Sequence, residues 1–189
     1  AARARDDRVQ WHQGDIADWS AGQPVDLMLA NASRQWLGRH DQLFPRLAGQ
    51  LDSRGVLAVQ MPMAFETRHH SLMREVAEDG PWAGTLRDVS TIAPLPSAEV
   101  YYDLLAGAGA EVDIWSTTYL HALTGENAVL TWMSGTALRP YLTALASAPG
   151  LKSAYMAALE EALSRAFPKR SDGVTLLPFP RLFLVARAR

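Results

Sequence analysis

Val25-Asp26-Leu27-Met28-Leu29-Ala30 runs largely apolar for one strand length and then breaks into Asn31-Ala32-Ser33, ahead of Arg34-Gln35-Trp36-Leu37. A short apolar run that stops this abruptly reads as a buried parallel strand reaching the edge of its sheet. One helix-length segment later Gly55-Val56-Leu57-Ala58-Val59-Gln60-Met61-Pro62 repeats the pattern, with Gln60 arriving where a polar residue faces the same crevice. In open α/β sheets ligands bind beyond the carboxyl ends of the strands. Two strand ends therefore direct the search for a site to Asn31, Trp36 and Gln60.

Working outward, residues 9–13 alternate like a short strand and residues 14–19 turn away from its end. Between the two apolar runs, Asp41 is a candidate N-cap for a helix over 41–51 with Leu43, Phe44, Leu47 and Leu51 at helical spacing. Thr67 caps a helix carrying Leu72, Met73 and Val76 that stops at Gly80-Pro81, residues 82–96 read as a loop, and Ser97 caps a helix over 98–108 ended by Gly109. Val112 to His121 alternates in a way that predicts a strand with two different faces. Residues 124–168 form a helical insertion. Residues 174–177 and 182–186 read as one strand interrupted by Pro178-Phe179-Pro180, or as two, and prolines there imply an edge or a bulge. Strands separated by helix-length segments predict an α/β fold with a mostly parallel sheet in three layers.

A chain of 189 residues that is 48% hydrophobic can bury a sizeable core, and its length suggests one domain. Lys+Arg 18 against Asp+Glu 20 leaves a net charge of -2, which lacks the basic footprint of a nucleic-acid binder. No apolar run approaches the roughly 20 residues a bilayer needs and the first residues lack a signal-peptide core, so the expectation is a cytoplasmic protein without membrane attachment. Cys 0 removes disulfides and thiolate chemistry together. There is no Gly-rich phosphate loop, no Walker lysine and no Gly-x-Ser-x-Gly elbow. His12, His40, His69, His70 and His121 show no metal-ligand spacing; they are expected at the surface, and no metal is expected. Asp15, just past a strand end, is either a hydrogen-bond acceptor for a ligand amine or a turn former. Trp36 is either a ligand wall or a core residue. Arg68, Arg139 and Arg181 stand at or near element ends, where each is either a solvated surface arginine or a guanidinium that reaches a carboxylate bidentately.

Six stretches then carry a resemblance. Gly14-Asp15-Ile16 followed by Trp19, Ala30 to Leu37, Gly55 to Pro62, Val112 to His121, Gly135-Thr136-Ala137-Leu138-Arg139-Pro140 and Pro178-Phe179-Pro180-Arg181-Leu182-Phe183 occur in order and together resemble the trans-aconitate 2-methyltransferase family, S-adenosylmethionine-dependent enzymes with a Rossmann-like sheet. The resemblance implies a seven-stranded sheet of which this chain supplies the third strand onward, with an antiparallel C-terminal strand. The family's first two strands, the first ending in an acidic residue and a Gly-rich cofactor loop, are not found in this sequence, and the expectation is that they lie upstream of position 1. By position, the resemblance implies that Asp15 bonds the adenine amino group, Ile16 packs on the adenine plane, Asn31 and Ala32 line the methionine end, and Trp36 borders cofactor and acceptor.

The expected activity is methyl transfer to a carboxylate of trans-aconitate or a similar small polycarboxylate, without metal. Positioning alone can supply the catalysis, because the acceptor is already an anion near neutral pH. Arg139 and Arg181 are the expected carboxylate clamps, with Gln60, Tyr119 and His121 as donors. Other small-molecule acceptors within the superfamily, and an inactive fragment or binding module, stay open, as does the oligomeric state.

Overall fold

The computed structural model describes residues 9–89 and 93–189. Four strands, β1 (Val25–Asn31), β2 (Leu51–Pro62), β3 (Ala110–Leu123) and β4 (Thr175–Ala188), form one sheet in the order β1-β2-β4-β3. β1 and β2 pair in parallel, and β4 pairs antiparallel with both of its neighbours. Three strands therefore run one way and the last returns between two of them, the mixed arrangement of a Rossmann-like sheet with an antiparallel final strand. Helix α1 (His40–Ala48) connects β1 to β2. Helices α2 (Arg68–Glu78), α3 (Ala83–Leu86) and α4 (Ala98–Gly107) lie between β2 and β3, and α5 (Ala128–Ser134), α6 (Arg139–Ala144) and α7 (Pro149–Ala166) lie between β3 and β4.

The pleat sends alternate residues to opposite faces, and each face has its own core. On one face Met28, Ala30, Leu57, Val59, Met61, Leu182, Leu184 and Ala186 are covered by α1 and α4 through Phe44, Leu47, Tyr101 and Leu105. Leu177 points to the other face, where the far end of the β3–β4 ribbon meets a second core of Leu72, Met73, Val129, Met133, Tyr155 and Leu159 from α2, α5 and α7. The remainder of that second face is open beside β1, with Leu27 and Leu29 at 62% and 73% exposure. β1 is thus buried on one face only among the described residues, where its unbroken apolar character predicts burial on both.

The structure corrects several expectations. Residues 9–13 belong to no strand and are exposed, because five alternating residues do not make a strand without a neighbouring strand to pair with. Helix α1 starts at His40, preceded by Arg39 in the left-handed region (φ 55), and Leu51 belongs to β2. β2 begins before Gly55 and passes through a bulge, the register stepping from Val25↔Leu51 to Leu27↔Val56. Gly55 is required there, since a Cβ would fall 2.6 Å from the Val25 carbonyl oxygen. A short helix, α3, interrupts the expected 82–96 loop, whose residues 90–92 lie outside the described residues. The segment carrying Pro178 and Pro180 is one continuous strand. Both prolines lie opposite β3 and beyond the last β2 pair at Arg181, and the Pro180 carbonyl, accepting the Met63 N–H at 2.9 Å, shows that this residue's backbone groups face away from β3, so its missing N–H leaves no gap in that ladder.

Histidine burial is the largest departure. His40, His69 and His70 are buried, and only His12 is fully exposed among the five. The His40 Nε2 atom lies 3.1 Å from the Arg34 carbonyl oxygen, which can only accept, so Nε2 carries the proton and Nδ1 accepts from the Tyr101 hydroxyl at 2.5 Å. Burial holds the His40 pKa below its usual value, in keeping with this neutral tautomer. The sequence pattern cannot announce such a pairing, since Tyr101 lies 61 residues away.

Candidate active site

The carboxyl end of β1 forms an exposed ledge. Asn31 is the last strand residue and pairs in register with Gln60, and the following Ala32 donates its N–H to the Gln60 carbonyl at 2.9 Å. Ala32 adopts φ 47, a left-handed conformation that turns the chain sharply out of the strand into the 3-10 turn Arg34–Trp36. A non-glycine residue held in that region at a strand end is the kind of local strain found at binding sites. Trp36 projects from the turn at 58% exposure, so it is not a core residue.

Residues 15–21 are tied to this ledge by side chains from the elements after β1. Arg34 donates to the Ile16 carbonyl at 2.9 Å, Arg46 donates to the Trp19 carbonyl at 2.8 Å and to the Ala17 carbonyl, and Gln50 accepts from the Ala21 N–H at 2.6 Å. Arg34 is buried with its Nε unpartnered, and burial, then the neighbouring Arg46 charge, lowers its pKa. Asp15 accepts the Ala17 N–H at 2.8 Å through one carboxylate oxygen, forming a turn. Its second oxygen stays available, so the turn-forming and ligand-binding roles are compatible. Ile16, Asn31, Ala32 and Trp36 are all exposed along the ledge.

A polar cluster adjoins the ledge on the second sheet face. Arg181 donates to Gln60 Oε1 at 3.0 Å, and its guanidinium lies 5.1 Å from the Tyr119 ring centroid and 5.2 Å from that of Phe179. His121 continues the row, stacked on Tyr119 and tilted against Phe179 and Trp132. Gln60 Nε2, Arg181 Nε and His121 Nε2 are buried with no partner. Buried polar groups left unpaired cost about 1–3 kcal/mol each, which concentrates unspent hydrogen-bonding capacity at this spot. No carboxylate among the described residues pairs with Arg181.

Beyond Trp36 the turn, α2 and the α5–α6 connection enclose a cleft of about 390 Å³ lined by Gln35, Trp36, His70, Met73, Arg74, Thr136 and Pro140 among others. His69 separates cleft from cluster. Its ring packs on Trp132 and Phe179 on one side and meets the His70 ring edge-on at 4.9 Å on the other. Burial pushes the pKa of His69 down to about 3 and that of His70 to about 4, so both are neutral at pH 7.

Of the residues singled out from sequence, Asp15, Ile16, Asn31, Ala32 and Trp36 fall on one ledge, and Gln60, Tyr119, His121 and Arg181 fall in one cluster touching it. Arg139 stands apart as the exposed first residue of α6, next to Pro140 in the cleft wall. Arg68 is spent in a surface pair with Glu75 at 2.7 Å. Sequence reading missed Arg34, Gln35, His70 and Arg74. The spacing of His70 and Arg74, four residues apart on one helix face, was the available signal. No group of His, Cys, Asp and Glu suited to holding a metal ion occurs among the described residues. None of the described helices is long and apolar enough to cross a membrane.

No family model matches the chain. The chain is similar in fold to the solved structure of the YcgJ protein from Bacillus subtilis, with 11% identity over 90% of this chain and 68% of that one at a TM-score of 0.50. It is 47% identical over 98% of its length to the trans-aconitate 2-methyltransferase of Azoarcus sp. (strain BH72), spanning 72% of that protein. It is 48% identical over 94% of its length to the trans-aconitate 2-methyltransferase of Yersinia pestis (strain Pestoides F), spanning 68% of it. Identity this high, sustained across nearly every element just described, means that the chain belongs to the trans-aconitate 2-methyltransferase family.

Proposed function

We propose that this protein transfers a methyl group from S-adenosylmethionine to a carboxylate of trans-aconitate or a closely similar small polycarboxylate, giving a methyl ester. The observation that carries the reading is the juxtaposition of Asn31 and Gln60, which joins the cofactor ledge to a carboxylate-seeking cation, Arg181, through one register pair and one hydrogen bond.

The residues present fit the cofactor. Ile16 and Trp36 offer exposed apolar surface for a flat ring and an alkyl chain, Asp15 keeps one oxygen for an amine, and Asn31 supplies an amide at the turn where the backbone leaves the sheet. S-adenosylmethionine held by these residues would supply an electrophilic methyl group on a sulfonium centre.

The chain's own task is to hold an anion in line with that methyl. A carboxylic acid with pKa near 4 is ionised at neutral pH, so no side chain has to remove a proton. Arg181 clamps one carboxylate that does not react, Gln60, Tyr119 and His121 bond oxygens beside it, Arg139 at the rim of the adjoining cleft serves acceptor groups that reach there, and one oxygen is left free to attack. Alignment of this kind can supply about 7–11 kcal/mol of the barrier reduction.

Two measurements on one preparation test the reading: calorimetric binding of S-adenosylhomocysteine, and mass-spectrometric detection of methyl ester formed from trans-aconitate. Binding with ester formation is expected. Absence of binding refutes the cofactor assignment. Binding without ester from trans-aconitate, while another small acid is esterified, refutes the acceptor.

A further inference from the structure

Arg74 lies one helical turn after His70 on α2, so both side chains leave the same face of the helix and line the cleft beside Trp36. The Arg74 guanidinium sits over the Phe65 ring at 4.0 Å from its centroid. Stacking of this kind engages the flat face of the group and leaves its in-plane N–H donors free for a planar partner. The ion pairs described join Arg68 to Glu75 and Arg165 to Glu161, and neither involves Arg74.

Across the cleft, Gln35 is only 7% exposed and its Oε1 has no hydrogen-bond partner, so this acceptor is left for a ligand hydroxyl or a water and not for a carboxylate oxygen. Thr136 adds a hydroxyl from the α5–α6 connection. His70, kept neutral by burial and secondarily by the Arg74 charge, has one ring N–H to give. Met73, Ala137 and Pro140 make the rest of the lining apolar. A space of about 390 Å³ suits an acid of roughly a dozen heavy atoms.

We propose that this cleft is a second acceptor subsite beside the Arg181 cluster, and that Arg74 there holds, through two parallel hydrogen bonds, the non-reacting carboxylate of a tricarboxylic acid that Arg181 does not hold, with Thr136 bonding the same molecule. The assignment rests on the methyl-transfer reading of the site. A tricarboxylate presents one oxygen to the methyl and keeps two carboxylates to be held. Arg74 serves one of them, and Trp36, exposed on the ledge, also lines the cleft. Arg74 thereby selects for acids that carry a further carboxylate.

Arg74→Met and Arg74→Lys are compared with the unaltered protein in two assays. One is calorimetric binding of trans-aconitate to protein saturated with S-adenosylhomocysteine, and the other is the KM for trans-aconitate. Arg74→Met is expected to weaken acceptor binding and raise KM at least tenfold while the S-adenosylhomocysteine Kd is unchanged, and Arg74→Lys to recover part of the loss. The ratio of kcat/KM for trans-aconitate to that for a monocarboxylic analogue should fall at least tenfold in Arg74→Met, whereas a merely structural role would lower both alike and leave the ratio unchanged. Equal trans-aconitate affinity in the unaltered and Arg74→Met proteins overturns the assignment even if methyl transfer proceeds. Arg74-dependent binding without ester formation supports the subsite and refutes the methyl-transfer reading instead. No trans-aconitate binding by the unaltered protein overturns the subsite.

Discussion

Arg34→Met removes a buried guanidinium and keeps an unbranched stem of similar length, and the structure assigns the change opposite effects on stability and on cofactor binding. The lost hydrogen bond to the Ile16 carbonyl, made by a charged donor at 2.9 Å, contributes about 1.5–3 kcal/mol to folding. Against it stands the cost of keeping the charge out of water, several kcal/mol for a buried ion, with no carboxylate paired to Arg34 among the described residues and with Nε unpartnered. The balance predicts unchanged or higher stability. Cofactor binding responds differently, because Ile16 and Asp15 are held against the ledge partly through this bond. Arg46 continues to hold Ala17 and Trp19, so the lower end of the range applies. About 1.4 kcal/mol is a tenfold change in an equilibrium constant, and the S-adenosylhomocysteine Kd should rise about tenfold. Urea or thermal unfolding and calorimetry on the same variant read the two effects. An unchanged Kd refutes the coupling of Arg34 to the cofactor ledge. A fall in Tm beyond about 4 °C, which corresponds to roughly 1 kcal/mol or more for a chain of this size, refutes the desolvation argument.

Arg181→Met should lower kcat/KM for the acceptor about tenfold to a hundredfold, the loss of about 1.5–3 kcal/mol expected for a charge-assisted bond, without altering S-adenosylhomocysteine binding; an unchanged KM removes Arg181 from the acceptor set. Gly55→Ala should destabilise by about 1–3 kcal/mol, read as a lowered Tm, because its Cβ would meet backbone atoms at 2.6 and 2.9 Å where the β1–β2 bulge cannot give way. His69 and His70 make stability pH-dependent. Their pKa values fall to about 3 and about 4 on folding from 6.5, so between those values the unfolded chain binds more protons. Their contribution is complete above pH 6.5 and is lost progressively as pH falls, by up to about 1.4 kcal/mol per pH unit for each residue. His69→Phe, which suits the surrounding Trp132, Phe167 and Phe179 rings, should flatten the dependence of Tm on pH between 7 and 5; an unaltered slope refutes it.

The strand ends were legible because burial writes itself into local composition. An apolar run that stops at Asn31, and another that delivers Gln60 before Pro62, need no tertiary information to be read as strand ends. The ledge residues followed from that placement together with the family resemblance, and Gly109 at φ 87 ends α4 because left-handed termination is local chemistry, whereas Ser97 stands at the N-cap position without a side-chain capping bond. Residues 9–13 misled for the converse reason. Alternation describes a surface that could pair, and pairing itself depends on a partner elsewhere in space.

What the sequence determined by itself is therefore the class of fold, the order of most of its elements, the family, and the strand ends at Asn31 and Gln60 from which the site is proposed. Only the tertiary structure decided which polar groups gather there. Arg181 reaches Gln60 across 121 residues, and Gln35 meets Arg74 and Thr136 in one cleft through three separate elements. It also decided that three of the five histidines are buried and that Arg34 serves a carbonyl with no carboxylate beside it. Periodicity reports how a residue stands relative to its own helix or strand. The charge state, the missing partner and the shape of a cleft arise from the packing of distant elements against one another, and no local pattern records them.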